Sequence, residues 1–138
     1  MYLVMRKTDN KKFILKLGTE DASDLDKQRI RGESALLTAI SSPYIVNCQE
    51  IFEFQSRLYV FLDYMDGGSL NKFIENFYEE YSEETMKYML WMSAQGIKSL
   101  HDRNVLHRDI KSDNVLCTPS TGDIKVADLG LAVFLTEN

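Results

Sequence analysis

Apolar and polar positions alternate at the start of the chain. YLVMRK at 2–7 and KFILKL at 12–17 read as two strands, and the polar TDN with Lys11 between them makes a turn, so a hairpin is predicted. The period then changes. Leu25, Ile30, Leu36, Leu37 and Ile40 make the apolar side of a helix over 23–40. Gly32 is its weak point, costing about 1 kcal/mol against alanine in a helix interior. SSPY stops it, because the residue before Pro43 avoids helical angles. Two more strands follow, IVNCQEIFEF at 45–54 and RLYVFLDY at 57–64, joined through Gln55 and Ser56. MDGGSL breaks the pattern at Gly67 and Gly68 and marks the boundary between two parts. Ser69 can cap a short helix running to about Phe77.

A long helix starts after Ser82, with Glu83 and Glu84 at its positive end. Met86, Met89, Leu90, Ala94, Ile97 and Leu100 form its stripe, which Trp91 and Met92 widen beyond one face. Such a helix packs on more than one side. The chain supplies few partners for the second side, so the Trp91 side is expected in solvent and the isolated chain is expected to be marginally stable. NVLC at 114–117 and IKVA at 124–127, separated by TPSTGD, predict a last hairpin. Strands plus one helix thus precede a mainly helical remainder, an α+β pattern.

Net charge is −5 with no long block of one sign, which argues against sequence-independent nucleic-acid binding. No run of 18 apolar residues exists to span a membrane. The apolar start is too short, and has the wrong charge order, for a signal peptide. Cys48 and Cys117 fall in strand-like runs and read as buried free thiols of a reducing compartment, which points to an intracellular, cytoplasmic protein.

The chemistry concentrates in HRDIKSDN, His107 to Asn114. Asp109, Lys111 and Asn114 can turn into one space. Phosphoryl transfer needs such a set: a carboxylate for the nucleophile's proton, a cation for the transferring group and an amide oxygen for Mg²⁺. Alone, the three could form a polar turn. Asp128, followed by Leu129 and Gly130, ends an apolar strand, and the predicted hairpin would bring it to the same end as Asn114. Lys16 stands within the apolar FILKL, and Glu33 on the helix is its candidate partner.

In this order, FILK, Glu33, SSPYIV, DYMDGGSL, HRDIKSDN and DLG resemble the eukaryotic protein kinases over essentially the whole chain. HRDIKSDNVL with GGSL looks most like the Ser/Thr sterile-twenty-like or mitogen-activated kinase-kinase-kinase branch. The resemblance implies a bilobal fold, ATP and Mg²⁺, and a protein substrate with a Ser/Thr hydroxyl, and it leaves room for regulatory protein partners. Lys16 would contact the α- and β-phosphates and pair with Glu33. Asp63, Tyr64 and Met65 would read adenine, with Leu62 as gatekeeper and Leu116 also in the ATP site. Asp109 would be the base, Lys111 would neutralise the γ-phosphate, and Asn114 and Asp128 would hold Mg²⁺. His107 and Leu129 would join an apolar spine with Leu37 and Cys48. Arg108 would answer a phosphate on the activation segment.

The same resemblance implies an incomplete domain. Residues 1–66 would be a small lobe lacking its first strand and glycine-rich loop, and 67–138 the beginning of the large lobe. Ile14 stands where the family has a small alanine over adenine, and Leu129 replaces the usual phenylalanine. A non-catalytic truncated pseudokinase, acting as a binding or regulatory module, is therefore the alternative. A small-molecule kinase is a more distant one.

Overall fold

The computed structural model describes residues 1–18, 23–77 and 81–135. These fall into two compact units, 1–41 with 46–64, and 42–45 with 65–138.

The first unit is a four-stranded antiparallel sheet with one helix. β1 (Tyr2–Met5), β2 (Lys12–Leu17), β3 (Cys48–Phe54) and β4 (Arg57–Asp63) lie in the order β1-β2-β4-β3. The first hairpin closes where predicted. Its turn is tied by Arg6, which donates from Nε to Asp9 at 2.9 Å and also forms an ion pair with it. That guanidinium, with the Lys11 N–H, holds the Asp9 carboxyl at about 2. The β3–β4 turn has Gln55 and Ser56 both at positive φ, 47° and 61°. Two successive left-handed residues match the right-handed twist of the flanking strands.

α1 (Asp24–Ala39) begins at Ser23, whose hydroxyl accepts from the Asp26 N–H at 3.2 Å. Its buried face is Glu33, Ser34, Leu36 and Leu37. Leu25, predicted on that face, is 59% exposed: only the second half of the helix reaches the core. A Cβ added to Gly32 meets nothing within 4 Å. Gly32→Ala should therefore stabilise the chain by about 1 kcal/mol, read as an upward shift in a urea or thermal melt.

The second unit contains β5 (Gly68–Ser69), α2 (Leu70–Phe77), α3 (Glu83–His101), β6 (Val105–Leu106), β7 (Val115–Thr118), β8 (Asp123–Val126) and β9 (Val133–Phe134). β5-β7-β8 form one small sheet and β6-β9 another. Ser69 caps α2 as expected, accepting from the Lys72 N–H, and Ser82, just before the predicted start of α3, accepts from the Thr85 N–H. Residues 42–45 belong here because Val126 donates its N–H to the Tyr44 carbonyl at 2.8 Å and Ile45 bridges to Val126. By contact the two units divide between Tyr64 and Met65, with this excursion.

α3 corrects the predicted stripe. Its buried residues are Met89, Met92, Gly96 and Leu100, whereas Leu90 is 69% and Trp91 50% exposed. Gly96 lies on the packing face because a Cβ there would stand 2.6 Å from Val126 Cγ2 and 2.7 Å from the Tyr44 carbonyl oxygen. Trp91 packs edge-on to Tyr44, with ring centroids 5.9 Å apart.

Candidate functional site

Two groups of the residues singled out from sequence come together, one within each unit. In the first unit, β2 places Lys16 opposite Val60 and on the side of the sheet facing α1, from which Glu33 reaches it in an ion pair. Glu33 is 6% exposed and the Lys16 side chain 26%. A buried carboxylate needs a partner, and the lysine meets that need while keeping part of its surface open. Leu62 and Asp63 end β4. Asp63 donates its N–H to the Asn47 carbonyl at 3.0 Å and accepts from Gln49 Nε2 at 2.7 Å.

In the second unit the loop between β6 and β7 is built around His107, which is 2% exposed. Its Nδ1 lies 3.2 Å from the Asp109 N–H, so Nδ1 accepts. Nε2 then carries the proton and donates to the Ala127 carbonyl at 2.9 Å. Both ring nitrogens are spent on backbone, which makes His107 a brace between the loop and the strand end before Asp128.

The brace holds two unusual backbones. Arg108 and Asp128 have φ of 66° and 61°, a region that costs ordinary residues about 1–2 kcal/mol. The residue type gives no sign of this conformation at Arg108, whereas aspartate is among the few types that adopt it readily at Asp128. Arg108 donates from Nε to the Leu131 carbonyl at 2.5 Å, an anchor not foreseen from sequence.

Asp109, Lys111 and Asn114 are in direct contact. Lys111 Nζ and Asn114 Nδ2 each lie 2.8 Å from Asp109 Oδ2, and Asn114 Nδ2 also donates to the Asp109 carbonyl at 2.8 Å. The Lys111 hydrogen bond first, then that of Asn114, holds the Asp109 carboxyl below the ordinary carboxylate value. The same bond raises Lys111, so both groups stay charged. Ser112 ties this loop to α2 by donating to Asn71 Oδ1 at 3.2 Å.

The β7–β8 hairpin pairs Val115 with Val126, and Ala127 donates its N–H to the Asn114 carbonyl at 2.8 Å. Asn114 and Asp128 consequently flank the same hairpin end. Asn114 spends its amide nitrogen on Asp109, which leaves Oδ1 to serve as an acceptor. Asp128 is exposed, with Oδ1 accepting only from the Gly130 N–H at 3.3 Å among the described residues. Two hard oxygen donors suit Mg²⁺, which takes one or two side chains and completes its octahedron with water and phosphate. Among the described residues, no group of three or more His, Cys, Asp or Glu could hold a metal.

Met65 and Leu116 belong to the second unit. Met65 is buried and its carbonyl accepts from the Gly68 N–H at 3.1 Å, while Leu116 pairs with Ser69 and Lys125 and is half-buried. Cys117 is buried as expected, but Cys48 is only half-buried; both thiols are free, and burial pushes both upward. No helix among the described residues is long and apolar enough to cross a membrane.

The protein kinase domain family matches residues 1–138. The chain is similar to serine/threonine-protein kinase Nek3 of Mus musculus, at 36% identity over 97% of this chain and 26% of that protein. It is 31% identical to mitogen-activated protein kinase kinase 7 of Arabidopsis thaliana over 100% of this chain and 44% of the relative. With serine/threonine-protein kinase CLA4 of Candida albicans it shares 33% identity over 96% of this chain and 14% of the relative. It thus spans less than half the length of each.

Proposed function

Because this chain belongs to the protein kinase domain family, with serine/threonine kinases among its relatives, we propose that it carries the phosphoryl-transfer loop of an ATP-dependent enzyme acting on Ser/Thr hydroxyls of proteins. The observation that carries this reading is the Asp109–Lys111–Asn114 contact at the hairpin end that also bears Asp128. Asp109 accepts the proton of the attacking hydroxyl and orients it. Lys111 places a cation beside the transferring group. Asn114 Oδ1 and the Asp128 carboxylate hold Mg²⁺, which when bound offsets charge on phosphate oxygens. Lys16, steadied by Glu33, meets the α- and β-phosphates. Leu62, Asp63, Met65 and Leu116 serve the base. We read residues 1–66 as the nucleotide-holding part and 67–138 as the part bearing the loop, in a cytoplasmic protein whose free thiols suit a reducing compartment.

The test is incubation of the chain with Mg·ATP labelled on the γ-phosphate and a basic protein mixture. Label on serine or threonine, lost in Lys16→Met, is the expected result. Tight Mg·ATP binding without any transfer would replace this reading with the non-catalytic one. Label on a small alcohol but on no protein would move the chain to a small-molecule kinase.

A further inference from the structure

An antiparallel sheet with one face in water alternates apolar residues inward with polar residues outward. The sheet of the first unit departs from that pattern. β2 turns Lys16 toward α1, so Phe13, Leu15 and Leu17 stand on the opposite face, across from Asp63, Phe61 and Tyr59 of β4. Phe52 lies opposite Tyr59 on that face, with Phe54 two residues further along β3. Phe52 is 41% and Phe54 57% exposed. The rings touch in series. Phe52 stacks on Tyr59 with centroids 5.0 Å apart and on Phe61 at 5.9 Å, and Phe61 meets Phe13 edge-on at 6.5 Å. Contiguous exposed apolar surface of this kind marks a binding site, which single scattered residues do not.

The row ends in positive charge. Arg6 and Lys11 both stand over the Phe13 ring, 5.2 and 5.3 Å from its centroid. They belong to the first hairpin turn, where Arg6, Lys7, Lys11 and Lys12 are all exposed against one carboxylate, Asp9, in a chain of net charge −5. A hollow of about 250 Å³ joins the turn to the row, with Arg6, Phe13 and Phe61 in its lining and Glu50 on its far side. Glu50 and Asp63 give the β3–β4 side of this face the opposite sign.

We propose that this face docks a segment of another protein, acidic at one end and apolar along the rest. Its acids meet the turn at 6–12, and its apolar side chains cover Phe61 and Phe52. Charge selects this occupant. A flat anionic membrane would press its charge on Glu50 and Asp63 as well as on the turn, whereas a peptide can place its acids at the turn alone. A second copy would have only Glu50 and Asp63 on these strands to offer the turn, and Asp63 already accepts from Gln49 Nε2 at 2.7 Å. Exposed aromatic rings beside an arginine are also the residue types that anchor protein interfaces.

The experiment is selection from a phage-displayed library of random peptides of about twelve residues, long enough at about 3.3 Å per residue to run from the turn past Phe52. The full chain is the bait, and the double variant Lys11→Glu, Phe52→Ser serves for counter-selection. Both positions are exposed, and thermal melts verify that the variants fold. Enriched peptides should gather Asp and Glu at one end and apolar residues over the following stretch. A synthetic copy, followed by fluorescence anisotropy, should lose affinity at least about tenfold in Lys11→Glu and in Phe52→Ser separately, the scale of an interface anchor. Gly32→Ala, on α1, should bind it unchanged. No enrichment, enrichment without acids at one end, or binding indifferent to either single variant would overturn the proposal. Capture by phosphatidylserine vesicles with no peptide enriched would overturn it in favour of a membrane surface. A dimer in analytical ultracentrifugation that Phe52→Ser breaks would overturn it in favour of a second copy.

Discussion

Asp109→Asn should cut phosphate transfer to protein hydroxyls by about 10²–10⁴-fold, the usual worth of a positioned acid–base group, while Mg·ATP still binds. The hydrogen bonds explain why so small a change does so much. Lys111 and Asn114 both donate to Asp109 Oδ2, and Oδ1 has no hydrogen-bond partner among the described residues. Oδ1 is thus the oxygen available to a substrate hydroxyl. An asparagine here must turn its own oxygen toward Lys111 and Asn114, because an NH₂ group would face two donors. Its NH₂ then points outward and offers a proton where one should be accepted. Calorimetry with Mg·ATP separates this loss from misfolding, and transfer undiminished in the variant would remove Asp109 from the role of base. The pH dependence follows with a definite sign. The folded carboxyl lies below its ordinary value of 3.8, so it lends stability above that value and loses it as pH falls through the lower folded one. The acid limb of transfer from this group should accordingly lie below pH 3.8.

Much of this site could be read from residue types, because the chemistry fixes them. A lysine within an apolar strand needs a carboxylate, and Glu33 supplies it. A strand-end aspartate and a hairpin imply that Asn114 and Asp128 share an end, and the Val115–Val126 register puts them there. What stayed hidden has physical reasons. β5, β6 and β9 are two residues long, too short to show a period of two. Leu25 fits the helical period but lies in the half of α1 that does not reach the core. Arg108 and Asp128 adopt left-handed angles beside contacts with residues distant in sequence, namely Leu131 and the His107 brace on Ala127, and for Arg108 local preference points elsewhere. Gly96 was invisible for a different cause: a hydrophobic stripe is counted from side chains, and this position contributes by lacking one.

That absence carries the other large effect. Gly96→Ala should destabilise the second unit by about 3 kcal/mol, the upper part of the range for overpacking a tight contact. The new methyl would stand 2.6 Å from Val126 Cγ2 and 2.7 Å from the Tyr44 carbonyl oxygen. The valine methyl could give way. The carbonyl has less freedom, since it accepts the Val126 N–H at 2.8 Å. Helix α3 must therefore back away from β8, loosening the packing of Met92 and Leu100 as it goes. The chain's single tryptophan reports on this junction, because Trp91 on α3 packs against Tyr44. Urea unfolding followed by its fluorescence should show a lower midpoint for Gly96→Ala. Gly32→Ala provides the control: the same exchange, also inside a helix, at a position with open space around it. Propensity alone favours alanine at both sites by about 1 kcal/mol. Opposite signs in the two variants would show contact outweighing propensity at Gly96, whereas stabilisation by both would mean that α3 can shift freely and that the close approach to Tyr44 does not constrain it.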